Sequence, residues 1–132
     1  MIMIEYAKHF ITTPYNWGGN TPEEGMDCSG FIQEVIKSKY VYRGDRSSQD
    51  LLLYLLDNMV SEMITGAPEN LEPEDICFYG THMSKITHVS MYIGDNAVIE
   101  SAGEGRIPTT KGMVRIRQFD HRSDFVCAVR LY

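Results

Sequence analysis

Apolar side chains recur at helical spacing only in the first half of the chain. Ile4, Ala7, Phe10 and Ile11 form a loose pattern over residues 2–11, which predicts a short helix ended by Thr12-Thr13-Pro14. Residues 14–27 are rich in Gly, Pro, Asn and Thr and read as a loop. From Cys28 onward, Phe31, Ile32, Val35 and Ile36 fall at helix spacing, with Asp27 in the N-cap position. A further helix over 48–59 is carried by Leu51, Leu52, Leu55, Leu56 and Met59, and Ser47 stands three residues before Asp50 as in a capping box. Loop chemistry returns at Thr65-Gly66-Ala67-Pro68.

Beyond that loop the period falls to two. Strands are expected near 75–79, 87–93, 97–102, 112–117 and 124–131. Helices followed by a mostly antiparallel sheet make an α+β fold. There is no internal repeat, low-complexity tract or dividing linker, so residues 1–132 read as one domain.

Composition narrows the function more than the fold. The 132 residues are 43% hydrophobic and 23% charged, enough to build a core without disulfide or metal staples. No apolar run approaches the ~18 residues of a membrane span. Lys and Arg total 12 against 18 Asp and Glu, a net charge of −6, so the field has the wrong sign for nucleic acid or anionic lipid. The one mildly basic stretch, Lys111, Arg115 and Arg117, reads as the solvent face of a strand. Met1 to Lys8 lacks the basic start, apolar core and cleavage site of a signal peptide. Synthesis in a cytoplasm is therefore expected, with lysis, a secretion device or a virion as the route if the protein acts outside. Nothing in the pattern sets an oligomeric state.

Cysteine placement carries the chemistry. Cys28, Cys77 and Cys127 are an odd set with no metal-type spacing. Cys77 and Cys127 sit in apolar strand-like runs and read as small buried hydrophobes. Cys28 lies between Asp27 and Ser29 at a helix start, where unpaired N–H groups and the positive dipole end favour a thiolate. The same N–H groups are placed to hold an oxyanion. Plain packing under the helix start is the alternative reading.

A thiolate nucleophile needs a base. His9 on the first helix, His82 in a loop and His121 before the last strand read as surface residues. In His88-Val89-Ser90-Met91-Tyr92-Ile93, alternation puts His88, Ser90 and Tyr92 on one face, which either meets solvent or lines a site. Gly94 to Asn96 reads as a hairpin turn. A three-residue loop pairs Ile93 with Ala97 and sets Glu100 on the face of His88, ~7–8 Å away as a diagonal neighbour. A two-residue loop sets them on opposite faces. In the first register Glu100 orients the imidazole and favours its protonated form.

Three segments, Tyr15-Asn16-Trp17-Gly18-Gly19, Asp27-Cys28-Ser29-Gly30-Phe31 and His88-Val89-Ser90-Met91-Tyr92-Ile93-Gly94, resemble in order and spacing the signatures of the NlpC-type cell-wall cysteine peptidases. The likeness runs from about Tyr15 to Gly103. It implies a papain-like α+β fold, with N-terminal helices packed on the sheet. It also implies hydrolysis of amide bonds in peptidoglycan stem peptides, commonly between D-γ-glutamyl and a diamino acid, with no metal or organic cofactor. By resemblance Cys28 is the nucleophile, His88 the base, Glu100 the orienting third residue and Tyr15 an oxyanion donor. Asp27 and Ser29 match residues that hold the free amine of a stem peptide in some relatives, and Trp17, Gly18 and Gly19 shape the loop under the nucleophile.

The chain departs from the family pattern in three places. The third position is more often histidine than glutamate, Pro73-Glu74-Asp75 replaces Pro-Gly-Asp, and Arg46-Ser47-Ser48-Gln49 keeps the Arg-x-Ser…Gln segment with altered spacing. The leading expectation is a cysteine peptidase, with the stem peptide as its partner molecule. Acyl or amide chemistry on a non-wall substrate, and a non-catalytic binding or assembly module, are the alternatives.

Overall fold

Short polar side chains set two of the helix starts in this chain. The computed structural model, which describes residues 1–103 and 112–132, has helices α1 (Ile2–Lys8), α2 (Cys28–Lys37) and α3 (Ser48–Asn58). Asp27 caps α2 by accepting from the Gly30 N–H at 2.7 Å, and Ser47 caps α3 by accepting from the Asp50 N–H at 3.2 Å. Helix α1 stops short of Phe10 and Ile11, because Thr12 takes a φ of +77° and the chain turns away.

The strands are β1 (Asn20–Thr21), β2 (Gly25–Met26), β3 (Ser61–Ile64), β4 (Ile76–His82), β5 (Lys85–Gly94), β6 (Ala97–Ala102), β7 (Met113–Gln118) and β8 (Phe125–Leu131). A 3₁₀ turn, Phe119–His121, links the last two. β1 and β2 form a small hairpin inside the expected loop. The other six make one sheet in the order β3-β8-β4-β5-β6-β7, antiparallel throughout. β3 gives no readable alternation, since Ile64 is its one buried residue. His82 ends a strand rather than lying in a loop.

Both sheet faces are covered. Phe31, Ile32, Val35 and Ile36 of α2 and Leu51, Leu52 and Leu55 of α3 pack with Ile76, Phe78, Val89, Met91 and Val129. The alternate residues Cys77, Tyr79, Tyr92, Val98 and Ala128 pack on the other side with Ile64, Leu71 and Phe119. The face of β5 that carries His88, Ser90 and Tyr92 is thus buried, not solvated.

The hairpin between β5 and β6 is built differently from either expected loop. Asp95 and Asn96, at φ of 52° and 60°, make a two-residue turn that closes on Gly94 opposite Ala97. A register shift between Tyr92 and Gly94 then leaves Ile93 out, and Met91 comes to face Ile99. A two-residue loop with a bulge gives the register that a three-residue loop was expected to give.

Two further arrangements position the site. Residues 12–15 run along the free side of β7: Thr12 donates to the Val114 carbonyl, Val114 to Thr13, and Tyr15 to Gly112. At the far end of the sheet, Arg130 holds buried Asp75 through Nε–Oδ1 at 2.9 Å and Nη2–Oδ2 at 2.8 Å.

Candidate active site

Cys28 is the first residue of α2 and is partly exposed. Its Sγ lies 3.4 Å from the Ser48 hydroxyl at the start of α3. On the other side stands His88 of β5, whose Nε2 meets the Glu100 Oε1 at 2.8 Å and whose remaining ring nitrogen is left for the thiol. Helix start, central strand and neighbouring strand therefore bring Cys28, His88 and Glu100 into one chain of contacts.

Electrostatics in that chain run against burial. Burial raises the Cys28 thiol, but the His88 hydrogen bond and charge and the Ser48 hydroxyl outweigh it, so the thiol lies below its ordinary value. Burial lowers His88, yet its bonds to Cys28 and Glu100 push it up to about 9. Burial likewise raises Glu100, and His88 with the nearby cations brings it below the usual carboxylate range. The two shifts are coupled, and both favour thiolate with imidazolium over the neutral pair. Cys77 and Cys127 show the opposite case: both are buried, and burial pushes both thiols up, Cys127 to about 11.

Tyr15 borders the same space. Its ring lies against Gly103 and its Cβ against Gly112, where an added Cβ would press on each. Burial and the neighbouring Cys28 and Asp27 push its hydroxyl up to about 12, so it keeps its proton and remains a donor.

Asp27 and Ser29 lie beside the thiol. Ser29 is buried and donates its hydroxyl to Asp27 Oδ1 at 3.2 Å, while Gly18 N–H donates to Oδ2 at 3.1 Å. The carboxylate thus ties the loop to the helix start. Gly18 takes a φ of +77°, and a Cβ on Gly19 would strike the Gly25 carbonyl oxygen, which explains both glycines. Trp17, in the same loop, is 54% exposed and lines the cavity.

The cavity, about 380 Å³, is bounded by Tyr15, Trp17, Asp27, Cys28, Ser48 and Thr87. A smaller recess of about 160 Å³ lies on the His88 side of Cys28 and reaches Gly103 and Arg122. The thiol stands between them, so an extended chain with an amide over Cys28 has room on each side.

Four residues near the site were not foreseen. Ser48 contacts the thiol, a role that the sequence did not give it although it lies in the Arg-x-Ser…Gln segment. His121, taken for a surface residue, places Nε2 3.5 Å from Glu100 Oε2. Arg115, taken for a solvent-facing residue, is the cross-strand partner of Glu100 and places Nε 3.8 Å from Oε2. Arg122 grips Asp124 through two bonds and reaches the recess. Lys111, read with Arg115 and Arg117 as one stretch, lies outside the described residues. Arg46 and Gln49 are structural: Arg46 stacks on Tyr54, and Gln49 holds the Ile86 N–H and the Met83 carbonyl. No group of three or more metal-ligating side chains occurs among the described residues.

A reactive-type thiol at a helix start, facing an imidazole on an antiparallel sheet, defines a papain-like α+β protein. Residues 12–121 match the NlpC/P60 family, and the chain belongs to that family. It is 29% identical over 131 residues to the gamma-DL-glutamyl hydrolase of Bacillus subtilis, covering 90% of this chain and 29% of that protein. Over 103 residues it is 33% identical to the Probable peptidoglycan endopeptidase LytE of the same organism, covering 78% of this chain and 27% of that one. A solved NlpC/P60 family protein from Bacillus cereus superposes with a TM-score of 0.73 at 27% identity, covering 98% of this chain and 39% of that chain. The chain thus spans less than a third of the length of these two curated relatives.

Proposed function

We propose that this chain is a cysteine peptidase that hydrolyses an amide bond in peptidoglycan stem peptides, with a γ-D-glutamyl group as acyl donor and a diamino acid as leaving amine. The observation that carries this reading is the Cys28–His88–Glu100 contact chain at the meeting point of a cavity and a recess. A relative named for peptidoglycan and one named for γ-glutamyl hydrolysis support the substrate class.

In the proposed reaction the Cys28 thiolate adds to the amide carbonyl. The oxyanion is held by the backbone N–H at the helix start and by the Tyr15 hydroxyl. His88 passes its proton to the leaving nitrogen as the C–N bond breaks, which leaves a thioester on Cys28. Water then gives a proton to His88 and its oxygen to the acyl carbon, releasing the acid and restoring the thiolate. Glu100 keeps the imidazole aimed and favours its charged form throughout. Asp27 supplies negative charge at the cavity wall, which suits a free amine on the acyl side.

Mass spectrometry of purified stem peptides and muropeptides tests this. Wild type is expected to give a fragment whose mass names the bond, and Cys28→Ala to give none while keeping its fold. Cleavage by Cys28→Ala would overturn the assignment, and intact γ-glutamyl substrates beside a folded wild type with reduced thiols would overturn the substrate class.

A further inference from the structure

Glu100 is wholly buried, and a carboxylate in that position needs compensation. One oxygen, Oε1, has it in His88. Among the described residues the other, Oε2, has no hydrogen-bond partner, and neither does the buried Nε of Arg115 that faces it. His121 approaches Oε2 from a second element at 3.5 Å, with its other ring nitrogen, Nδ1, 2.8 Å from the Gln118 carbonyl. A carbonyl only accepts, so Nδ1 carries a proton. When Nε2 carries one too, each nitrogen has an acceptor, Gln118 on one side and Glu100 on the other.

We infer that Arg115 and His121 are positioning residues that keep Glu100 ionised, and through it keep His88 charged and Cys28 a thiolate. This is tied to the kind of residue in the third position. A neutral imidazole there needs no cation behind it, whereas a buried carboxylate does. Among the described residues, the remaining charged or titratable neighbours do not replace the pair. His88 of β5 uses the other oxygen, Arg122 after the 3₁₀ turn is held by Asp124, and Tyr79 of β4 bonds Ser90 through its hydroxyl. The inference rests on the proposed roles of Cys28 and His88 and is independent of the substrate.

The sign of the effect follows from the charges. Without the two cations Glu100 takes up a proton at higher pH. A neutral Glu100 supports His88 less, and a less charged His88 supports the thiolate less. The acid limb of Cys28 reactivity therefore moves up, by about one pH unit, or about tenfold in rate on that limb. The basic limb does not fall, because Glu100 is ionised there in either case.

Iodoacetamide alkylation of Cys28, followed by peptide mass against pH, reads this without any peptidoglycan. Arg115→Gln with His121→Asn is expected to raise the acid limb, and Arg115→Lys alone to keep it near wild type. In a Glu100→His background the same pair is expected to leave the limb where Glu100→His sets it. An unmoved limb in the first variant would overturn the inference. An equal shift in the Glu100→His background would do so too, since the pair would then act by some path other than the carboxylate. If the double variant does not fold, His121→Asn alone must raise the limb, and an unmoved limb there overturns the inference.

Discussion

At the residue scale, the site works by making shifts that burial alone opposes. Removing the charge of Glu100 exposes this directly. Glu100→Gln keeps a hydrogen-bonding side chain but withdraws the negative charge that helps hold His88 up to about 9. The basic limb of activity should then fall by about one pH unit and the acid limb should rise, so the bell narrows from both sides. A profile of unchanged width in kcat/KM would remove Glu100 from the mechanism. Tyr15→Phe removes one oxyanion donor while leaving the ring against Gly103. It is expected to lower kcat on the order of 100-fold with KM little changed, as steady-state kinetics would show.

The residue types of the site were legible in the sequence, but their second contacts were not. Cys28, His88, Tyr15 and Asp27 announce themselves through helix-start chemistry and motif order. Ser48 lies in the Arg-x-Ser…Gln segment, but a serine beside an N-cap serine reads as helix-start composition and gives no sign of a contact with the thiol. His121 and Arg115 reach Glu100 through a cross-strand pairing and a 3₁₀ turn, and neither leaves a local pattern. The one available signal was chemical. A glutamate facing inward on a strand calls for a cation, and Arg115 is the strand residue that answers it.

At the element scale, the active geometry depends on how closely the loop before α2 packs on that helix. A Cβ at Gly30 would meet the Gly19 carbonyl oxygen and lie 2.9 Å from Asp27 Oδ1. Gly30→Ala should therefore push the loop off the helix start, cost about 1–3 kcal/mol in denaturant unfolding and slow alkylation of Cys28. Wild-type stability and reactivity in that variant would show that the loop carries no such constraint. The β5–β6 hairpin teaches a related lesson. Alternation left two registers open there, and the one adopted needed the paired left-handed residues Asp95 and Asn96 and an unpaired Ile93. Bulges have no composition signature strong enough to count on, so the choice between the two registers was not readable. Strand β3 was missed for a similar reason, since an edge strand with one buried residue shows no period.

At the scale of the whole molecule, two polar regions divide the work. The recess of about 210 Å³ at the far end holds Lys39, Glu74, Asp75 and Arg130, and these are spent on one another and on the backbone of α1. Arg130→Ala leaves Asp75 buried and uncompensated, with an expected loss of about 3 kcal/mol in stability and unchanged kcat/KM per folded molecule. A parallel loss of kcat/KM in folded protein would contradict that separation. The site region instead sets the pH range of stability. Glu100 has a folded value below its ordinary one, so its contribution is present above the ordinary carboxylate range and lost as pH falls through the folded value. His88 has the reverse sign: its contribution is complete below 6.5 and disappears as pH rises through about 9.

The central claim is that Cys28 rests as a thiolate paired with His88. The most direct measurement is the ultraviolet thiolate absorbance of wild type minus that of Cys28→Ala across pH. The other two thiols lie above their ordinary range and cancel in the difference. Thiolate absorbance is expected already at neutral pH, persisting down to a midpoint below the ordinary thiol value of 9.0. A difference signal that appears only as pH approaches that ordinary value would contradict it.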